Sequence, residues 1–148
     1  MSGREVVIRT VKFQRPDRLA RDFPAPYGSD FAGVGISPSP DARPRSGRDE
    51  WGAVWRNIGV SNLGEVAEPA LKEWADFDRL PIPDITEARR WTHLEGARER
   101  AGDRFLMGSG ISLYERAHFI RGLENLWADI YEHPDELRRL LDILVEMN

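Results

Sequence analysis

The chain begins with apolar residues that are spaced as in a helix and separated by charged residues. This pattern predicts a short amphipathic helix over Arg4–Phe13. Its apolar face consists of Val6, Val7 and Val11. Pro16 follows and ends the helix, because proline lacks the backbone N–H that a continuing helix needs.

Half of the ten prolines then fall between Phe23 and Pro44, together with three glycines. Such a stretch has few backbone donors and many turn positions, so a Pro/Gly-rich loop or edge region is predicted over residues 24–48. An interdomain linker is the alternative, but too little chain precedes it to form a domain. From Asp49 to Val66, aromatic and β-branched residues are mixed with glycines, which predicts a β-hairpin.

Two further helical patterns follow the predicted hairpin. The apolar residues of the first are Leu71, Trp74 and Phe77. This helix ends before Pro81. In the second, Asp84 followed by Glu87 is a capping-box pattern, in which each residue satisfies a free backbone N–H of the first turn. We therefore predict a helix that runs from Asp84 to about Arg100.

A short apolar run, Phe105-Leu106-Met107, lies between helical patterns. Its length and its flanking helices predict one buried parallel strand. The turn Gly108-Ser109-Gly110 follows and leads into a predicted helix from about Leu113 to Tyr131. We expect the inner face of this helix to consist of Leu113, Ala117, Ile120, Leu123, Trp127 and Ile130.

The last predicted helix begins at His133-Pro134, since proline suits the first helical position. Asp135 and Glu136 add negative charge where the helix dipole is positive. Its apolar stripe consists of Leu137, Leu140, Leu141 and Leu144. The pattern runs to Asn148 without a glycine, so we expect this helix to end uncapped.

Composition narrows the class of protein. The chain has 148 residues, of which 41% are hydrophobic and 31% charged, and this predicts one globular domain over residues 1–148. A net charge of −4 offers no basic surface for nucleic acid. The sequence contains no run of about 18 apolar residues, so no membrane span is predicted. The first residues lack the apolar core of a secretory signal. The absence of cysteine excludes disulfides and thiolate chemistry within this chain, so we expect a cytoplasmic protein.

Histidine titrates near neutral pH and binds metals, but His93, His118 and His133 form no i, i+4 pair. No metal site built from this chain is therefore predicted. His118 lies one turn after Tyr114, on the helix behind the glycine turn, and α/β proteins bind ligands beyond the ends of parallel strands. His118 is thus a candidate site residue, with a packing role as the alternative. We expect His93 at the surface and His133 at a helix entry.

Asp49 and Glu50 directly precede Trp51 and Gly52. A carboxylate beside an aromatic side chain can be partly desolvated and so tuned for chemistry. The alternative is a turn-forming aspartate, whose side chain accepts Asx hydrogen bonds from the backbone. The local sequence leaves both interpretations open.

The order of these motifs resembles the uroporphyrinogen decarboxylase superfamily. The resemblance is closest to uncharacterised bacterial members, which are related to the haem-pathway decarboxylase and to cobalamin-dependent methyltransferases. It covers nearly the whole chain but corresponds to the N-terminal half of such a protein. The motifs that carry it are Pro16-Asp17-Arg18, Asp49-Glu50-Trp51-Gly52, Asp84, Gly108-Ser109-Gly110 and Ser112–Gly122.

Members of this superfamily are (β/α)₈ barrels with the active site at the C-terminal mouth. The resemblance implies an α/β fold that is the helix-rich N-terminal part of such a TIM barrel. This chain of 148 residues cannot form a closed barrel by itself, because a closed barrel needs about 250 residues. The family's catalytic aspartate stabilises a protonated pyrrole as carbon dioxide leaves, and it corresponds to Asp49. A functional tyrosine of the family falls near His118, and Tyr114 and Glu115 are candidate substrate-binding residues. The family's carboxylate-clamping arginine signature has no counterpart in Arg21–Gly28.

The resemblance therefore implies a carboxy-lyase of the porphyrin-metabolism type, acting without a cofactor on a tetrapyrrole-like or small carboxylated substrate. A corrinoid-dependent methyltransferase is the first alternative, and its zinc and corrinoid would be bound by residues outside this chain. A non-catalytic α/β interaction module is the second. We expect the domain to be truncated, inactive by itself, and completed by a second copy or a missing C-terminal half. No nucleic-acid or membrane partner is expected.

Overall fold

The computed structural model describes residues 1–35, 47–59 and 64–148. The chain divides into two compact units, Met1–Ser37 with Ala88–Ser109, and Pro38–Glu87 with Gly110–Asn148. The fold is mixed α/β, with helices and small sheets, and the described ranges contain no closed barrel. No helix within these ranges is both long and apolar enough to cross a membrane. The single domain expected over residues 1–148 stays a prediction.

The strands and α-helices are numbered here along the chain. The strands are β1 (Phe31–Gly35), β2 (Gly47–Arg48), β3 (Val54–Asn57), β4 (Gly64–Glu68) and β5 (Phe105–Ser109). The helices are α1 (Gly3–Val11), α2 (Ala97–Ala101), α3 (Leu113–Arg121), α4 (Leu123–Glu132) and α5 (Pro134–Glu146). Short 3₁₀ helices cover Trp74–Arg79, Ala88–Arg90 and Thr92–Leu94.

The first unit contains α1, α2 and a parallel pair formed by β1 and β5. Phe31 lies opposite Phe105, and the register continues to Gly35 opposite Ser109. The predicted parallel strand is confirmed, but its predicted burial is wrong, since Met107 is 47% exposed. Among the described residues β1 pairs only with β5, and the C-terminal half of β5, Met107–Ser109, is exposed. The predicted first helix is confirmed as α1.

The described residues of the stretch 24–48, which was predicted as a Pro/Gly-rich loop or edge region, form turns, β1 and β2. Residues 36–46 of this stretch lie outside the described residues. The continuous helix predicted from Asp84 to Arg100 is wrong. Asp84 Oδ1 accepts from the backbone N and Oγ1 of Thr86, at 2.8 and 2.6 Å, which makes a local turn instead of a capping box. Two 3₁₀ helices follow, and α2 begins only after Gly96, whose φ is +66°.

The second unit packs α3, α4 and α5 with an antiparallel sheet in the order β2-β3-β4. The predicted hairpin is confirmed as β3 and β4. The pattern after Pro69 forms a 3₁₀ helix, Trp74–Arg79, where an α-helix was expected. The buried core of this unit consists of Trp51, Leu71, Phe77, Leu80, Ala117, Ile120, Leu126, Leu137, Leu140 and Leu144.

The helix predicted from Leu113 to Tyr131 is broken at Gly122, whose φ of +80° lies outside the helical region. The break rotates α4 relative to the pattern expected for one continuous helix. Ala117 and Ile120 are buried as predicted, and in α4 it is Leu126 and Asp129 that face the core. The predicted inner positions that the structure exposes instead are Leu113, Leu123, Trp127 and Ile130.

The final helix is confirmed as α5, with Pro134 in its first turn. Leu137, Leu140 and Leu144 form its buried stripe. The expectation that this helix ends uncapped is wrong. Asn148 Nδ2 donates to the carbonyl of Leu144 at 3.0 Å, so a side chain satisfies a carbonyl of the last turn.

Candidate functional site

Asp49 lies in the tight turn that joins β2 to β3. Its Oδ1 accepts from the backbone N–H groups of Trp51 and Ala53, at 3.0 and 2.9 Å. The turn is closed by the backbone as well, since Gly52 N–H donates to the Asp49 carbonyl and Gly52 has a φ of +94°. Asp49 therefore makes the Asx hydrogen bonds that were one of the two interpretations of its sequence.

The second carboxylate oxygen of Asp49 has a different environment. Oδ2 accepts from the indole Nε1 of Trp55 at 2.9 Å and lies 3.5 Å from Arg116 Nη1. The Asp49 side chain is 9% exposed. Each carboxylate oxygen can accept about two hydrogen bonds. Oδ1 is therefore saturated, whereas Oδ2 makes one good hydrogen bond and one long ionic contact, which leaves it able to accept from a ligand.

Arg116 reaches this carboxylate from α3. Its guanidinium lies over the rings of Trp51 and Phe119, at 5.3 and 5.7 Å from their centroids. Its Nε is buried and has no hydrogen-bond partner in the described part of the chain. Burial lowers the pKa of Arg116, against the opposing charges of Asp49, Glu50 and Glu115. A guanidinium always remains charged in proteins, so Arg116 is a cation with unused hydrogen-bonding capacity beside Asp49.

His118 lies two residues further along α3. Its ring contacts those of Phe119 and Tyr114, at 5.2 and 6.4 Å between centroids. It lines a cavity of about 360 Å³ together with Val66, Pro69, Leu123 and Asn125, and Asp49 is not part of that lining. The structure thus brings Asp49 and His118 into one unit without placing them on the same cavity.

The other two predicted site residues lie at the start of α3. Tyr114 is exposed, and its hydroxyl accepts from Trp127 Nε1 at 3.2 Å. The side chain of Glu115 is exposed, and its backbone N–H donates to the capping Ser112 Oγ at 3.4 Å. Both side chains therefore face solvent on the first turn of α3.

Sequence reasoning missed a second carboxylate–arginine pair in this unit. Arg121 Nε and Nη2 donate to the two oxygens of Asp129, at 2.7 and 3.0 Å, and Nη1 donates to the carbonyls of Leu71 and Lys72. Trp74 Nε1 also donates to Asp129, at 2.9 Å. Burial by itself raises the pKa of Asp129, but the hydrogen bonds from Arg121 and Trp74 outweigh it, and the pKa lies below its usual value. The available signal was the spacing of Arg121, four residues after the buried Ala117.

The remaining histidines lie where the sequence placed them. His133 precedes Pro134 at the entry of α5, and His93 is exposed and hydrogen-bonds through Nε2 to the Gly35 carbonyl at 2.6 Å. Among the residues described, no group of three or more His, Asp or Glu side chains could bind a metal ion. Comparison of the chain with models of protein families, with curated proteins and with solved structures finds no match.

Proposed function

We propose that this chain forms the part of a uroporphyrinogen-decarboxylase-like protein that supplies Asp49 to a decarboxylation. The substrate class is a tetrapyrrole-like or small carboxylated molecule, as the motif order implies. The observation that carries the proposal is the state of Asp49: the carboxylate is fixed by its turn, is largely buried, and has one oxygen able to accept a further hydrogen bond.

The fold is compatible with this proposal. β1 and β5 pair in parallel, as neighbouring strands of a (β/α)₈ barrel do, and α3 follows β5 after a short turn in the sequence. Because β1 and β5 are parallel, the chain between them makes a crossover connection, as it does in each strand–helix–strand unit of such barrels. The partial TIM barrel is part of the proposal.

Asp49 must be an anion to stabilise the positively charged ring in the proposed reaction. In the proposed step a ring carbon of a pyrrole-like substrate takes up a proton from water, its N–H donates to Asp49 Oδ2, and the electron pair of the breaking C–C bond flows into the ring as carbon dioxide leaves. A second proton from water then binds the carbon that lost the carboxylate, and the ring carbon returns the first proton to water. A fixed carboxylate in a site of low exposure stabilises the cationic ring better than a carboxylate in water. The two backbone donors and the indole keep Asp49 oriented without any rearrangement during the reaction.

Arg116 and α3 complete the proposal. Arg116 offsets part of the Asp49 charge from 3.5 Å, too far for a strong hydrogen bond. Tyr114 and Glu115 are the substrate-binding candidates on the same helix, and His118 is the second catalytic candidate, as a substrate-facing helper of Asp49. His118 lines the cavity of about 360 Å³, which gives a bound group room beside it.

The test compares Asp49→Asn with the unchanged protein in the product of the full reading frame that contains this chain. Asparagine keeps the oxygen that accepts from Trp51 and Ala53 but removes the charge. We expect kcat for carbon dioxide release from uroporphyrinogen, or from a small carboxylated analogue, to fall about 10²-fold.

Asp22→Asn is the matched control, because Asp22 also accepts a hydrogen bond, from Ser29 Oγ at 2.6 Å, and its side chain is exposed. Its kcat is expected to stay within about twofold of the unchanged protein. A loss of about twofold or less in Asp49→Asn would show that Asp49 is not the stabilising group. Methyl transfer to a corrinoid without carbon dioxide release would favour the methyltransferase instead.

A further inference from the structure

The first unit contains a cavity of about 310 Å³ between α2 and the parallel pair of strands. One wall is apolar and includes Ala32, Val34 and Leu106 from the two strands. The other wall carries Arg100 and Arg104, and His93 lies at the same cavity. No acidic residue is among the lining residues, so the cavity combines an apolar wall with positive charge.

Both arginines are fixed by the backbone. Arg100 donates from Nη1 to the Glu95 carbonyl at 2.6 Å and from Nη2 to the His93 carbonyl. Arg104 donates from Nε to the Ala101 carbonyl and from Nη2 to the Arg100 carbonyl, both at 3.2 Å. Carbonyl groups orient a guanidinium but do not neutralise it.

Two other arginines of this chain are neutralised by buried carboxylates. Arg121 pairs with Asp129 and Arg18 pairs with Asp30. By contrast, neither Arg100 nor Arg104 forms an ion pair with any described residue. Glu95, Glu99 and Asp103 belong to the same stretch of chain, but none lines the cavity. Arg100 and Arg104 therefore line one cavity as exposed, oriented cations, and neither has a counter-ion among the described residues.

We propose that this cavity binds a small organic molecule that carries a carboxylate on an apolar body. The planar guanidinium fork matches a carboxylate, and the hydrogen bonds already made leave further N–H groups on each arginine. The apolar wall formed by the strands takes the rest of the molecule, as in most small-molecule sites. The site lies within the first unit and does not depend on a catalytic role for Asp49.

The experiment titrates the ¹⁵N-labelled protein with benzoate, which has a carboxylate on an aromatic ring, and with benzamide, its neutral analogue. We expect saturable shifts of the backbone N–H signals of Ala32, Val34 and Leu106 with benzoate. Benzamide is expected to bind about tenfold more weakly, since a charge-assisted hydrogen bond is lost. Phenyl phosphate in a third titration separates a carboxylate site from a phosphate site.

Single substitutions then identify which arginines bind the carboxylate of benzoate. Arg100→Gln and Arg104→Gln are each expected to weaken benzoate binding about tenfold. Arg98→Gln is the matched control, because Arg98 lies on the same helix, donates to the Gly102 carbonyl at 3.2 Å, and does not line the cavity. It should leave benzoate binding unchanged. Thermal unfolding of each variant checks that α2 remains folded.

Several outcomes would overturn the proposal. Equal binding of benzoate and benzamide would show an apolar cavity without anion recognition, and this pair of titrations needs no variant. An equal effect of Arg98→Gln and Arg100→Gln would show a general effect of charge. Tighter binding of phenyl phosphate would assign the site to phosphate, and the absence of saturable shifts at the strand residues would leave no site there.

Discussion

Two carboxylate–arginine pairs of the second unit, Asp129 with Arg121 and Asp49 with Arg116, have low exposure but differ in how completely their hydrogen bonds are satisfied. At Arg121 and Asp129 both groups are buried, and the pair is bidentate at 2.7 and 3.0 Å. At Asp49 and Arg116 the charged atoms lie 3.5 Å apart, and the Arg116 side chain remains 26% exposed. The hydrogen-bonding groups of Arg121 and Asp129 are occupied by partners within the protein. By contrast, Asp49 Oδ2 and Arg116 Nε can each still form a hydrogen bond.

The difference separates a structural role from a chemical one. A charge pair whose donors and acceptors are all satisfied contributes to the packing of α3 against α4 and offers nothing to a ligand. Arg121 also lies over the Trp74 ring at 4.4 Å, so it is surrounded on several sides. An incompletely satisfied pair at low exposure, such as Asp49 with Arg116, is where a substrate can complete the hydrogen bonding.

The largest effect is expected from breaking the closed pair. Asp129→Ala leaves Arg121 as an uncompensated buried charge and removes the acceptor of Trp74 Nε1. The free energy of unfolding is expected to fall by about 3–5 kcal/mol. Urea denaturation measures it, with Asp78→Ala as the control for an exposed pair with Arg139. The control should cost about 1 kcal/mol or less, and equal losses in both variants would contradict the structural role of Asp129.

A third carboxylate–arginine pair, Arg18 with Asp30 in the first unit, combines a buried carboxylate with a partly exposed arginine. Its contribution to stability can be tested by lowering the pH. Arg18 donates to both oxygens of Asp30, at 2.5 and 2.6 Å, and this lowers the pKa of Asp30 from 3.8 to about 2. The unfolded chain therefore binds a proton at higher pH than the folded chain does. The pair's contribution is fully present above about pH 4 and is lost as the pH falls towards about 2.

Asp30→Asn should remove this part of the acid dependence. Arg18 is 40% exposed, so solvent screens its charge and weakens the pair. Between about pH 5 and about pH 2, we expect the free energy of unfolding of the unchanged protein to fall by about 1 kcal/mol more than that of Asp30→Asn. Denaturation of both proteins across that window measures it. Identical pH profiles would show that the Arg18 contact does not hold Asp30 ionised.

The smallest effect on stability is expected at the open pair. Arg116→Met keeps an unbranched apolar side chain between Trp51 and Phe119 but removes a charge whose Nε has no partner. The lost cation–π contacts and the lost 3.5 Å ion pair with Asp49 are offset by the relieved burial of the Arg116 charge, and Asp49 keeps its hydrogen bonds from Trp51, Ala53 and Trp55. The free energy of unfolding should therefore change by less than about 1 kcal/mol. A loss above about 2 kcal/mol in urea denaturation would place Arg116 with Arg121 as a structural residue.

Local patterns in the sequence determined the elements whose signals lie within one segment. The apolar stripe and Pro134 of α5, the amphipathic spacing of α1 and the glycine-bounded hairpin of β3 and β4 need no distant partner to be recognised. The Asx hydrogen bonds of Asp49 are local in the same way, because its acceptor and the donors of Trp51 and Ala53 are four residues apart or fewer. The function implied by the resemblance stays a prediction.

Tertiary structure decided what depends on groups distant in sequence. Gly122 breaks the expected helix, and packing then buries Asp129 and exposes Trp127, because the face of a helix follows from where it begins as well as from its spacing. Arg121 becomes an interior residue only because Asp129 and two carbonyls before α3 satisfy its donors. Arg116 likewise meets Asp49 across a sequence separation that no local pattern encodes. Local sequence therefore determined α1, α5 and the β3–β4 hairpin. The partners available after folding determined that Arg121 is fully paired and that Arg116 is not.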